Sequence, residues 1–132
     1  MSQENVEIVG RGVAAFNRRD FDGYDELNTP DSEWITSLGA IEGETFRGRE
    51  GAETYSERLS EAWEEFHTIA EDLRDLGDQV LMLGRVEGCG KGSGVPVDMP
   101  LAQIFYFRDG RICRIRSYLD YGDALKAVGL AE

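Results

Sequence analysis

His67 is the chain's only histidine, and so the only side chain whose unperturbed charge changes near neutral pH. A histidine base needs a partner to orient it, and no acid stands at a spacing that would supply one. His67 falls where a helix gives way to a strand, which fits a structural or exposed histidine better than a catalytic one. Cys89 and Cys113 have no CxxC spacing, so neither a disulfide framework nor a cysteine zinc site is indicated, and both read as free thiols. The run Gly88-Cys89-Gly90-Lys91-Gly92-Ser93-Gly94 invites comparison with a phosphate loop. It matches neither GxxxxGK[ST] nor GxGxxG, and it joins two strands instead of leading into a helix, so it reads as a hairpin connection. Arg85 could meet an anionic ligand if it pointed inward, but Val80, Met82 and Val86 make the opposite parity the inner one. Glu57, Glu61, Glu64 and Glu65, with Asp72 and Asp75, form an acidic surface that serves solubility. No metal constellation and no cofactor motif stands out.

Chemistry must therefore come from a cavity, and the elements decide whether one can form. The 132 residues suffice for one domain, expected to span residues 1–132, with roughly two-thirds of the unfolded surface buried. Hydrophobic residues at 41% and charged residues at 30% argue against disorder, and no apolar run approaches the roughly 20 residues of a membrane-spanning helix. A net charge of −12 would repel a phosphate backbone or an anionic lipid surface, so nucleic acid and membrane are excluded as partners. The first five residues lack the basic start and apolar stretch of a secretion signal, which implies a cytoplasmic address.

Val6, Val9, Val13 and Phe16 recur at helical spacing and predict a helix over residues 3–17. Asp20 can cap a second short helix carrying Phe21, Tyr24 and Leu27, stopped at Thr29-Pro30-Asp31. A short strand follows over 32–36, then a glycine-bearing loop over 37–48 able to overhang a cavity. Ala52, Tyr55, Leu59, Ala62, Trp63 and Phe66 predict the longest helix, over 49–66. Four strands are expected over 67–76, 79–88, 95–107 and 112–119, closed by a short helix over 121–128. The class is α+β, an antiparallel sheet with helices on one face.

The turn at Arg108-Asp109-Gly110 sorts the side chains of the last hairpin. A two-residue loop would pair Phe107 with Ile112 and Phe105 with Arg114, mixing aromatic and charged groups. A three-residue loop pairs Phe105 with Cys113, Gln103 with Ile115 and Leu101 with Ser117. One face then carries Leu101, Gln103, Phe105, Cys113, Ile115, Ser117 and Leu119, suited to lie under the helices. The other carries Ala102, Ile104, Tyr106, Arg114, Arg116 and Tyr118, too apolar for a wetted sheet and too charged for a core. That face suits a homodimer interface; the plainer alternative is a half-solvated surface with snorkelling arginines. Trp34, Tyr55, Trp63 and Phe105 could line a site for a flat apolar ligand or be ordinary core.

Several motifs taken together resemble a known family. They are Ala14-Ala15-Phe16-Asn17-Arg18-Arg19-Asp20-Phe21-Asp22, Pro30-Asp31-Ser32-Glu33-Trp34, Phe46-Arg47-Gly48-Arg49-Glu50-Gly51 and Phe107-Arg108-Asp109-Gly110-Arg111-Ile112. In order and spacing these are similar to the SnoaL-like polyketide cyclases of the nuclear-transport-factor-two-like superfamily, which also holds ketosteroid isomerases and limonene epoxide hydrolases. The resemblance implies a curved sheet wrapped around helices into a cone with an apolar pocket. It also shows what this chain lacks. The ketosteroid isomerase tyrosine, aspartate base and protonated acid fall at Gly12, Thr36 and Gln103, and Ser117 stands where the epoxide hydrolases carry an aspartate.

One fold hosts many chemistries, so the site residues must decide. Gln103, Thr36 and Ser117 can orient a carbonyl or hydroxyl, but an unassisted Ser or Thr is a poor nucleophile. The expected function is binding of a small, mostly apolar molecule, packed by Trp34, Tyr55, Trp63 and Phe105. Two rivals stand beside it. One is a cyclase, isomerase or epoxide hydrolase drawing its acid from Asp120, Glu42 or Glu44; the other is a non-catalytic structural or interaction module whose cavity is filled by its own side chains.

Overall fold

In the computed structural model, residues 2–36 and 45–130 are described. Helix α1 (Ser2–Asn17) buries the Val9 and Phe16 side of its apolar stripe. Helix α2 (Phe21–Leu27) starts on Asp20, whose carboxylate accepts from the Gly23 N–H at 3.0 Å, as the sequence predicts. Its end is closed by Asn28, whose side-chain amide donates to the Tyr24 carbonyl at 2.7 Å.

Strand β1 (Asn28–Ile35) begins four residues before the expected strand and contains Pro30. Pairing with the last strand occurs at Asn28↔Ile112 and resumes only at Glu33↔Arg114. Proline, with no N–H to give a ladder, lies in that interruption. Strand β2 (Phe46–Arg47) pairs antiparallel with β1.

Helix α3 (Gly48–Ala62) ends four residues short of the expected helix, and strand β3 (Trp63–Asp75) follows without a loop. Trp63 and Phe66 are thus strand residues. Their spacing of three, which reads as helical, would put them on opposite faces of a regular strand. A β-bulge between Glu64 and His67, with Glu65 at φ 54°, turns both the same way. Strands β4 (Gln79–Gly90), β5 (Pro96–Arg108) and β6 (Arg111–Tyr118) complete the sheet, and helix α4 (Tyr121–Ala127) closes the chain.

The strand order is β2-β1-β6-β5-β4-β3, with β1 and β6 parallel and every other neighbour antiparallel. The fold is α+β: an open, mostly antiparallel curved sheet wraps α1, α2 and α3 as a cone. Val80, Met82, Val86, Leu101, Phe105 and Ile115 line its inner face and pack with Val9, Phe16 and Trp34.

Two sequence expectations are overturned. The helices do not all lie on one face: α4 packs on the outer side of β4 and β5, where Leu81, Leu83, Ala102, Ile104 and Ala124 form a second core. Ala102 and Ile104, expected to be open for a partner subunit, are fully buried by their own chain. The last hairpin turns through two residues, not three. Asp109 and Gly110 both have positive φ (54° and 79°), the type I′ geometry, and Phe107 pairs with Ile112. A bulge then follows, restoring the parity that a three-residue loop would have given: Phe105 faces Ile115 and Gln103 faces Ser117. Cys113 is the residue displaced, moving to the outer side beside Tyr106 and Arg114, while Ile112 enters the core.

Candidate functional site

Between α1, α3 and the inner face lies a cavity of about 270 Å³. The helices contribute Phe16, Tyr55 and Leu59. Trp34 comes from β1, Trp63, Phe66 and Thr68 from β3, and Val86, Met99 and Leu101 from the central strands. Gln103 and Ser117 supply polar groups, and Leu119, 47% exposed, stands at the rim. A smaller pocket of about 20 Å³, room for one water, adjoins it beside Gly12, Tyr24, Phe105 and Ile112.

The aromatic walls interlock. Trp34 meets Phe16 at 4.8 Å and Tyr55 at 4.9 Å between ring centroids, in both cases at 70°, the edge-to-face arrangement that aromatic quadrupoles favour. Phe16 and Tyr55 are more nearly parallel, at 24° and 6.1 Å. Thr68 is fixed by Asn17 at the end of α1, whose side chain accepts from the Thr68 N–H at 3.0 Å and donates to its carbonyl at 2.8 Å.

The polar group is compact. Ser117 Oγ accepts from Trp34 Nε1 at 3.2 Å and from Gln103 Nε2 at 3.0 Å. Both of its acceptor sites are thereby used, leaving its own proton to donate. The carboxamide oxygen of Gln103 has no hydrogen-bond partner among the described residues. Among the described residues the cavity lining includes no Asp, Glu, His, Lys or Arg. The one titratable group among its described lining residues is the Tyr55 phenol, pushed up to about 12 by burial and so neutral at pH 7; burial likewise raises Tyr24 in the smaller pocket.

Of the residues singled out from sequence, Trp34, Tyr55, Trp63, Gln103 and Ser117 come together around the larger cavity. Phe105 lines the smaller pocket, and Thr36, fully buried at the end of β1, lines neither. Phe16, Leu59, Phe66, Thr68, Val86, Met99 and Leu101 complete the walls without having been singled out. Thr68 was legible in principle: it alternates with Phe66 and Ala70 along β3, a parity hidden by extending the preceding helix through Phe66.

Asp120, the alternative acid among the described residues, does not line the cavity. Asp120 caps α4, accepting from the Gly122 and Asp123 N–H groups. Asp98 and Arg85 lie outward, where Arg85 also bridges to Glu71 and Glu87. His67 is exposed beside Glu65, Glu87 and Cys89. Glu42 and Glu44 lie outside the described residues. Among the described residues no three His, Cys, Asp or Glu side chains gather as metal ligands.

A SnoaL-like domain family model matches residues 9–115. The chain belongs to the SnoaL-like domain family. No curated protein gives a significant match to this SnoaL-like domain. Solved structures show the same fold. A putative SnoaL-like polyketide cyclase from Jannaschia sp. CCS1 is 24% identical, with TM-score 0.78 over 100% of this chain and 96% of that one. An NTF2-like protein of unknown function from Burkholderia pseudomallei is 19% identical, with TM-score 0.78 over 97% and 98%. A protein with a ketosteroid isomerase-like fold from Catenulispora acidiphila, solved with trimethylamine, is 24% identical, with TM-score 0.74 over 94% and 93%. No helix among the described residues is long and apolar enough to cross a membrane.

Proposed function

We propose that this single SnoaL-like domain binds a small, mostly apolar molecule in the cavity between sheet and helices. The observation that carries the reading is the lining: aromatic and aliphatic walls, one hydrogen-bonding group built from Trp34, Gln103 and Ser117, and, among the described lining residues, no side chain that titrates near neutral pH. A carbon acid or an epoxide needs a titrating group within hydrogen-bond reach, whereas orientation of a carbonyl or hydroxyl does not. Trp34, Tyr55 and Trp63 pack the guest, Gln103 and Ser117 orient it, Phe105 backs the smaller pocket, and Thr36, buried just past the end of β1, stands outside both. The fold is compatible with such a role: the relative from C. acidiphila was solved with a small organic molecule. The unpaired thiols of Cys89 and Cys113 fit a cytoplasmic location.

The test is a thermal-shift screen with uncharged hydrophobic compounds. A ligand present at 100 times its Kd stabilises by about 2.7 kcal/mol, a readily measured rise in melting temperature. If no hydrophobic compound raises it, the cavity is the interior of a structural module. An enzyme reading would be favoured instead by turnover whose pH profile shows a carboxylate limb removed by Glu42→Gln, Glu44→Gln or Asp120→Asn.

Homodimerisation through the outer sheet face belongs to the same proposal, confined to the half-buried residues at the margin of the α4 cluster. There Arg114 lies over the Tyr106 ring at 5.8 Å and Arg116 over the Tyr118 ring at 5.4 Å. The Nε of Arg116 is buried without a hydrogen-bond partner among the described residues, a donor that a second subunit could satisfy.

A further inference from the structure

We infer that the guest is a neutral, planar, two-ring aromatic molecule bearing one hydroxyl or carbonyl on its edge, an inference that rests on the cavity being a binding site. Four features converge on that class. The first is size. An apolar cavity of about 150 Å³ accommodates benzene. The 270 Å³ here falls short of two such volumes, and fused rings that share an edge need less than two.

The second feature is shape and surface. Trp34 meets both of the more nearly parallel rings of Phe16 and Tyr55 in edge-to-face contact, with Trp63 and Phe66 on the same cavity. A flat π-system can take offset or edge contacts with such walls, whereas an alkyl chain gains only from area. Charge is the third. With no cation among the described lining residues and a net charge of −12 on the chain, a carboxylate ligand would lose its hydration and meet no cationic partner there.

The fourth is the polar edge. Once Ser117 Oγ has accepted from Trp34 and Gln103, its proton and the Gln103 carboxamide oxygen remain, a donor and an acceptor on directly opposed residues. A hydroxyl, itself both donor and acceptor, complements that pair; a carbonyl complements the donor half.

Both of the chain's tryptophans, Trp34 and Trp63, line this cavity, so quenching of intrinsic fluorescence reports occupancy directly. The probes are phenol, 2-naphthol, naphthalene, 2-naphthoate and 1-decanol, titrated at pH 7 with thermal shift as a second readout. The expected result is 2-naphthol binding at least tenfold more tightly than phenol, 2-naphthoate or 1-decanol. Gln103→Leu should weaken 2-naphthol roughly fivefold more than it weakens naphthalene. Equal binding of 2-naphthoate or 1-decanol would overturn the ligand class and leave the cavity as a binding site. Equal binding of phenol would overturn the two-ring size, and an unchanged 2-naphthol affinity in the variant would overturn the polar edge. If no probe binds by either readout, the binding-site reading falls and takes this inference with it.

Discussion

Gln103 on β5 and Ser117 on β6 sit directly opposite each other in the antiparallel ladder and are joined by an Nε2–H···Oγ hydrogen bond of 3.0 Å. With Trp34 of β1 donating to the same oxygen, three neighbouring strands meet at one hydroxyl on the cavity wall. The arrangement depends on backbone details far from it: the bulge at Cys113 sets the parity that brings Ser117 inward, and the parallel β1–β6 pairing places Trp34 beside it.

Replacing Ser117 with alanine removes the acceptor of two buried donors at once. An unsatisfied buried donor costs about 1–3 kcal/mol, and a water entering the cavity can satisfy one of the two. Ser117→Ala should therefore lose about 2 kcal/mol of stability, seen as a lower urea midpoint with an unchanged m-value. Gln103→Leu, which leaves Trp34 its acceptor, should lose less. Equal losses would mean that Ser117 does not join the two donors.

The half-buried margin of the outer face gives a test of assembly. Tyr106→Glu places a carboxylate in the apolar part of the proposed contact while leaving the inner face intact. Sedimentation velocity should then show the monomer, with far-ultraviolet circular dichroism unchanged. A stable dimer in this variant would move the interface elsewhere.

How far the sequence reveals this site depends on which signals are local. The stripes of α1 and α2 and the Asp20 cap are local, and their expected and observed ranges agree closely. The inner parity of β5 and β6 was legible through its apolar pattern even though the turn was read with the wrong length, because a bulge and an extra loop residue change parity identically. The end of α3 was not legible: Trp63 and Phe66 satisfy helical spacing, and only the bulge at Glu65 lets a strand present them together. Nor was the side taken by α4, since the outer-face apolar residues that receive it also suit a subunit interface. Gln103 and Ser117 stood out because polar residues interrupt an apolar face. Leu59 and Met99 did not, since a cavity wall and a packed core use the same residue types.

Glu33 offers a pH-dependent test. It accepts from Arg47 at 2.9 Å and from Arg114 at 3.1 Å, and these hydrogen bonds, Arg47 first, hold its carboxyl below the usual value of 4.5. A lowered folded-state pKa means that the stabilisation is present above the unfolded value and disappears as pH falls through the folded one. Glu33→Gln should thus lower the melting temperature modestly at pH 7, with the gap from the parent protein closing progressively below about pH 4.5. A gap independent of pH would assign the effect to packing instead of charge.

Gly84 is where the sheet tolerates least. A Cβ there would overlap the Ile69 carbonyl oxygen, a backbone atom that no rotamer change can move. Gly84 pairs with Ala70 immediately before the bulge between Ala70 and Asp72, and its own carbonyl accepts from the Tyr121 hydroxyl of α4. Gly84→Ala must therefore push β3 away from β4, which opens the wall carrying Thr68 and disturbs the seat of α4 on the opposite face. Overpacking of this kind costs about 1–3 kcal/mol. The expected outcome is a lower urea midpoint together with faster amide exchange in β3 than in β6. Uniformly faster exchange would mean that β3 opens only with the whole domain, while unchanged stability would show that the backbone near Ile69 yields without cost.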